Sequence, residues 1–387
     1  MQIYSINSIS FKSQNASNSE NNNFSSIFKR GDFDTVEIQK PQSDPIGKLA
    51  LQALKAEARS IEKEISSILT AANKIQAEEY DLKADAHFKK ETAQALAENI
   101  RPIYDEISEI YHHALKRGFR TEFNNKNDEL WYKREFEIKD GVVRICEYDD
   151  DDDLIREAII DKISIQISLI NENTNKWDVY TFDKNSSRLL KCAIGHTESS
   201  NGSYSAQEQY VYNDKEEIAS YEKKPKLYKD GTQKAQERFD YQNGELTMCS
   251  ENYISKPSGY FKADEKFELV NGRILYYYDG LEEQDDEWYS AYREFRFNTD
   301  DELCACAREI KVKDDMEIKR AFSFKNGEIC QANVDFKYDF ADMTTKSAKT
   351  FSFKDGRAYL CELNCQGIGE SDFKIDELNS QKKVTLN

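Results

Sequence analysis

The chain has 387 residues, long enough for two or three domains and one sizeable core. Its 54 Lys+Arg stand against 72 Asp+Glu, a formal net charge of −18. That field repels nucleic acid and anionic lipid surfaces, and no basic run offsets it. No stretch reaches the roughly 20 apolar residues of a membrane helix. An outer-membrane barrel would need a lipid-facing apolar band and an export signal, whereas mean hydropathy is −0.81.

The opening Met1-Gln2-Ile3-Tyr4-Ser5-Ile6-Asn7 lacks the basic and apolar regions of a secretory signal. The expected location is cytoplasmic, with leaderless export as the other route. Residues 1–44 are rich in Ser and Asn and read as a disordered leader. Within it, Ile6-x-x-Ile9-x-Phe11 reads as either a frayed start or a short docking peptide.

From Asp44-Pro45 the pattern becomes helical, and the helical segment is expected over 45–120. Leu51, Leu54, Ala58, Ile61, Ile65, Ile68, Ala72 and Ile75 recur at 3-4 spacing, and the register continues past Glu79 to Leu82 and Ala86. The stripe resumes at Leu96, Ile100, Ile103, Ile107 and Ile110, with a kink or a fresh helix start at Pro102 and a stop at Gly118. This predicts a coiled coil or a helical hairpin. Self-association through 45–120 and packing against the rest of the chain are the two uses of such a stripe.

From about Leu130 the apolar period falls to two, and a phrase repeats: aromatic or apolar residues at −5 and −3, then Asn or Asp, then Gly. The turn pairs are Asp140-Gly141, Asn243-Gly244, Asn271-Gly272, Asn326-Gly327 and Asp355-Gly356. Phe295-x-Phe297 before Asn298, Tyr210-x-Tyr212-x-Asp214 and Tyr180-x-Phe182-x-Lys184 look like worn copies. With an insertion around Asp149 to Ile170, these give about eight units of about 28 residues. The expected fold is mainly β: a tandem antiparallel β-hairpin array over 130–378 after an N-terminal α segment, with a tail at 379–387.

Asn-Gly and Asp-Gly favour two-residue turns with positive φ. Such a turn predicts that −3 faces +2 and −5 faces +4, counted from glycine. On that register nine of ten pairs are apolar on both sides, Phe322 with Gln331 being the exception. An aromatic face of this extent needs cover, and the helical segment is the candidate. Cys146, Cys249 and Cys361 all sit at +5 and read as small buried side chains, with all eight cysteines reduced.

Phe239-Asp240-Tyr241-Gln242-Asn243-Gly244-Glu245-Leu246 resembles the core of tyrosine-rich hairpin arrays, the YD/Rhs-type and MORN-type repeats. The resemblance spans about two-thirds of the chain. The YD phrase has one more residue before glycine, and MORN units are shorter with a second glycine pair. The resemblance implies an extended sheet or shell that binds or encloses something, and no catalytic residue.

Chemistry-bearing motifs are sparse. His112-His113, adjacent on a helix, point about 100° apart and cannot chelate together. Asp149 to Asp153 lacks the glycine and the terminal Glu of a calcium loop. Trp288-Tyr289 and Tyr276-Tyr277-Tyr278 could serve as carbohydrate platforms but follow the strand period, so packing accounts for them. Asp285-Asp286-Glu287 and Asp314-Asp315 read as solvated loops. No catalytic, cofactor or metal residues are assigned. The reading is a non-enzymatic interaction or scaffold protein whose protein partner is basic where it meets acidic rim loops such as Glu282 to Asp286. The alternative is an exported effector or toxin-related shell enclosing a client. A hydrolase would need carboxylates on the apolar face, and the phrase places none there.

Overall fold

A computed structural model describes residues 45–124, 131–171, 174–285, 288–369 and 373–386. Residues 1–44, expected as a disordered leader, and the Ile6 to Phe11 segment within them lie outside the described residues.

One helix, α1 (Pro45–Arg117), runs for 73 residues with Pro102 inside it. The helical hairpin is therefore corrected to a single helix. It stops where Gly118 takes φ +89° and its N–H reaches the Ala114 carbonyl at 2.9 Å, a left-handed cap that glycine adopts without strain. Buried positions follow a seven-residue step, broken once at Glu79: Ala58, Ile65, Ala72, Ala86, Ala93, Ile100, Ile107 and Ala114. Ile61, Ile68 and Ile75 form the second line of the same stripe. This stripe packs on the chain's own sheet, in one apolar cluster with Phe182, Tyr221, Phe239, Phe267, Phe295, Phe322 and Phe351.

The rest is one antiparallel sheet of 22 strands. It opens with β1 (Glu122–Phe123), β2 (Lys133–Lys139), β3 (Val142–Tyr148), β4 (Leu154–Ile160), β5 (Ser164–Asn171), β6 (Lys176–Asp183) and β7 (Leu189–Glu198). Next come β8 (Tyr204–Ser205), β9 (Glu208–Tyr212), β10 (Ile218–Lys223), β11 (Lys226–Leu227), β12 (Gln233–Gln242), β13 (Glu245–Ser255), β14 (Tyr260–Val270) and β15 (Arg273–Gln284). The last are β16 (Trp288–Phe297), β17 (Leu303–Val312), β18 (Asp315–Lys325), β19 (Glu328–Asp339), β20 (Thr344–Lys354), β21 (Arg357–Gly369) and β22 (Ile375–Thr385). Residues 379–385, expected as a tail, are part of β22. The supposed insertion at 149–170 supplies a hairpin of its own, β4 with β5.

The two-residue turns behave as their composition predicts, with positive φ at both central residues, for example Asn243 at 53° and Gly244 at 77°. The worn copies close differently. The Asn298 side chain accepts the N–H groups of Asp300 and Glu302, and Asn213 does the same for Lys215 and Glu217. An Asx loop there replaces the glycine turn.

Register is as expected next to the turn and not beyond it. Tyr241 faces Leu246, Leu269 faces Ile274 and Phe353 faces Ala358. A bulge then intervenes, so Phe239 faces Cys249 rather than Met248, and Phe351 faces Cys361 rather than Leu360. The mismatch of Phe322 with Gln331 disappears, because its partner is Ala332. Only the first of the five glycine-turn hairpins keeps the unbulged pairing, Phe136 with Ile145. The extra residue explains why Cys249, Cys306 and Cys361 are buried at +5: each fills the space left beside a phenylalanine.

A second device recurs further out. Gly195, Lys224, Asn252, Gly280, Glu309, Asp335 and Asn364 all have φ between 48° and 64°. Each lies eight residues after the left-handed residue that closes its turn (Ser187, Glu216, Gly244, Gly272, Asp301, Gly327, Gly356). Such a mid-strand bulge bends the strand and turns the following side chain to the face it would otherwise leave. Hence Ser250 and Tyr253, three apart, are both buried, as are Ala307 and Ile310. Tyr253 and Ile310 join a second apolar cluster with Phe261, Leu281, Ile318 and Phe336.

Helix and sheet share a period. Lys90 Nζ reaches the Gly244 carbonyl at 3.2 Å, and Lys83, seven residues earlier, lies against Gly272, one hairpin later. Gln76, seven earlier again, donates to the Asp301 carbonyl. On the other side of the seam, Tyr212 and Tyr241 hydroxyls donate to the carbonyls of Ala93 and Ala86. Seven helical residues rise about 10.5 Å, and two strands span about 9.6 Å. The heptad pattern that suggests a coiled coil is thus in step with the hairpins. Glu79, the charge interrupting the stripe, accepts the Ile274 N–H at 3.1 Å.

Candidate functional site

Each hairpin places one residue on either side of the sheet at the same level. On the helix side, a row of directly opposed residues runs Cys192, Tyr210, Tyr221, Phe239, Cys249, Phe267, Tyr277, Phe295, Cys306, Phe322, Ala332, Phe351 and Cys361. Large and small members fill the seam beneath α1. Each aromatic shielded there contributes about 2 kcal/mol.

One residue further along, the opposite face carries a polar row: Gln209, Glu222, Arg238, Ser250, Lys266, Tyr278 and Glu294, and beyond two alanines Asn333, Thr350, Glu362 and Lys383. Burying such groups is costly unless each is matched, and here most are matched in clusters, Ser250 Oγ being buried without a hydrogen-bond partner. Glu222, 2% exposed, accepts Tyr253 Oη at 2.6 Å and Gln233 Nε2 at 2.7 and 2.8 Å. Gln209 Nε2 reaches it at 3.2 Å, and Gln209 in turn accepts the Tyr204 hydroxyl at 2.8 Å. Lys191 Nζ closes the chain by donating to Tyr204 Oη at 2.5 Å. Burial lowers the Lys191 pKa to about 8 and raises that of Tyr204 to about 12.

Further along, Lys266 lies between Glu268 at 2.9 Å and Glu283 at 3.5 Å. Burial opposes its charge, but the two carboxylates outweigh it and raise its pKa. Glu294, 1% exposed, is held by Arg296 Nε at 2.5 Å and Tyr289 Oη at 3.2 Å. Asn333 Nδ2 donates to the Phe373 carbonyl at 2.9 Å, and the Ile375 N–H donates to Gln331 Oε1 at 2.8 Å. That tether holds the segment before β22 over β19. These groups are engaged with one another, which fits them to fix register more than to act on a substrate.

The residues weighed from sequence fall elsewhere. His112 Nδ1 bonds the Ser108 carbonyl at 2.6 Å on an exposed helix face. Asp149 Oδ1 accepts the N–H groups of Asp151 at 3.1 Å and Asp153 at 2.8 Å, so the acidic run folds as a turn. Tyr277 is buried beneath α1, while Tyr276 and Tyr278 stack at 6.4 Å. Asp286 and Glu287 lie outside the described residues. All eight cysteines are free thiols. Among the described residues, no group of three or more His, Cys, Asp or Glu could hold a metal, and no helix is long and apolar enough to cross a membrane.

The Lys191 to Glu222 chain was not found from sequence, because its members come from four strands and share no motif. Gln209 and Glu222 share one place, the second face one step beyond the aromatic row, whereas Lys191 and Tyr204 stand outside it, level with Val211 and Glu198.

The remaining surface of note is the sheet edge opposite the Asn-Gly turns. Its loops expose Asp150, Asp151, Asp152, Asp153, Asp230, Asp285, Asp314 and Asp342 against Lys229, Lys256 and Lys313. Successive loops are two strands apart, about 10 Å.

No family model matches this sequence, and no curated protein matches it. Among solved structures, the chain is similar over 40% of its length to an S. aureus TarM mutant in complex with fondaparinux, alpha-GlcNAc-glycerol and UDP, at 14% identity and a TM-score of 0.21. The match spans 27% of that chain. At that score the likeness says nothing about fold or activity.

Proposed function

We propose that this chain is a non-enzymatic interaction protein, an array of about eight hairpin units built on a helical spine, whose acidic loop edge docks a basic, extended protein partner. The observation that carries this reading is the spacing of exposed aspartates along one edge while both sheet faces are filled from within. A repeated weak charge contact gains from multiplicity when the partner carries basic groups at a matching step. Such binding is fast and salt-sensitive. The alternative, a shell around a client, has less support, because α1 occupies the aromatic face that a client would contact.

The test compares full-length protein with a variant carrying Asp150→Asn, Asp151→Asn, Asp152→Asn, Asp285→Asn, Asp314→Asn and Asp342→Asn, each immobilised and offered lysate at low and high salt. Proteins retained by the parent at low salt, and lost both at high salt and on the variant, support the reading. An identical retained set on both baits would remove the acidic edge from the function.

A further inference from the structure

β22 is the last strand of the described residues. Its Val384 faces Cys361 and its Lys383 faces Glu362, continuing both transverse rows. Leu386, two residues past Val384, is buried in the α1 seam. Val384 and Leu386 thus hold the −5 and −3 places that open every glycine-turn hairpin. Among the described residues, β22 pairs with β21 alone.

The helix continues where the sheet stops. Glu57 pairs with Lys349 of β20 at 2.6 Å, and Glu62 accepts the Ala358 N–H of β21 at 3.0 Å. The twelve residues from Pro45 to Ala56 precede these contacts, about 18 Å of helix, against about 5 Å per strand. Leu49 on this overhang is 65% exposed, and Leu51 and Leu54 are half-buried. The spine has room for at least one further strand.

A segment of this chain has the side chains that strand needs. Gly31-Asp32-Phe33-x-x-Val36-Glu37 repeats the order of Gly244-Glu245-Leu246-x-x-Cys249-Ser250 and Gly356-Arg357-Ala358-x-x-Cys361-Glu362. A charge follows glycine, an apolar residue stands at +2 and another at +5. Laid on β22 in the register of the other hairpins, Phe33 would face Leu386, Val36 would face Val384, and Glu37 would face Lys383, whose side chain is 61% exposed. The nine residues from Val36 to Pro45 span up to about 30 Å, ample to reach the start of the helix beside this edge.

We propose that residues 31–40 add to the outer edge of β22 as the returning strand of its hairpin, so that a segment before α1 pairs with the edge that the described residues leave unpaired. The same addition satisfies an edge that would otherwise template aggregation.

The test uses the full chain carrying Glu37→Cys and Lys383→Cys, with Cys304→Ser and Cys330→Ser to remove the two more accessible thiols. Mild oxidation is expected to give a disulfide within one chain, while a control pairing Glu20→Cys with Lys383→Cys gives little. In parallel, Phe33→Asp is expected to speed amide exchange in β22 at least tenfold and leave β12 to β17 unchanged. Bridging no greater than the control, or β22 exchange unaltered by Phe33→Asp, overturns the proposal. A disulfide found only between two chains overturns it as well, and assigns the edge to the same segment of a second copy.

Discussion

Lys191 is the residue at which burial and charge are most opposed. Its ammonium donates to Tyr204 on the second face, and burial lowers its pKa to about 8. An unfolded lysine titrates near 10.4. Below about pH 8 the folded state therefore holds a charge it disfavours, and the unfolded state binds more protons between the two values. Stability should rise with pH across that window as the penalty is relieved. Lys191→Met is expected to be more stable than the parent at pH 7, by about 1–2 kcal/mol. The gap should close above pH 10, as read from denaturant midpoints at each pH. A constant difference across the range would show that Lys191 is not titrating in the folded state. At this scale the sequence was partly legible. The +5 cysteines read correctly as small buried side chains, because they recur at one strand position. Lys191, Glu222 and Lys266 did not stand out, since a charge in a polar-looking strand position gives no sign that its face is covered.

Elements were legible in kind and less so in detail. Turn chemistry gave the hairpins and the −3/+2 pairs, whereas the −5/+4 pairs missed a bulge that inserts one residue. The second bulge had a signal that went unread: Asn252, Gly280, Asp335 and Asn364 are the residue types that tolerate positive φ, all at +8. Glu309 occupies the same place with φ 53°, and it gains nothing from a short polar side chain or a missing Cβ. Glu309→Gly is therefore expected to stabilise the protein by about 0.5–1 kcal/mol. The reciprocal change, Gly280→Ala, should cost a similar amount, since a Cβ there meets Tyr292 Cβ at 3.4 Å on a backbone with φ +64°. Thermal midpoints of the two variants should move in opposite directions. If both fall, the bend at +8 depends on side-chain packing more than on backbone conformation.

At the scale of the whole molecule, the helix reads as a coiled coil because its stripe has the coiled-coil period, and the sequence alone cannot say what lies on the other side. Here the other side is a sheet whose two-strand step, about 9.6 Å, nearly equals a heptad of about 10.5 Å. A strict seven-residue repeat also drifts by about 20° per heptad, so the seam winds around α1 and the sheet must wind with it. The match makes length a shared quantity. Removing residues 245–272 takes out one returning strand and one outgoing strand, and leaves every helix contact on the β22 side of the cut displaced by a heptad. Ile61, Ile65 and Ile68 would then face the wrong hairpins, and stability should fall by several kcal/mol given about 2 kcal/mol per large side chain lost from the seam. Removing residues 83–89 at the same time shortens the helix by the length and angle of one unit, and should restore most of that loss. Denaturant midpoints of the two variants decide it. Recovery in the double deletion means that α1 acts as a ruler for the array, whereas equal damage in both would mean that the hairpins hold their stack without reading the helix.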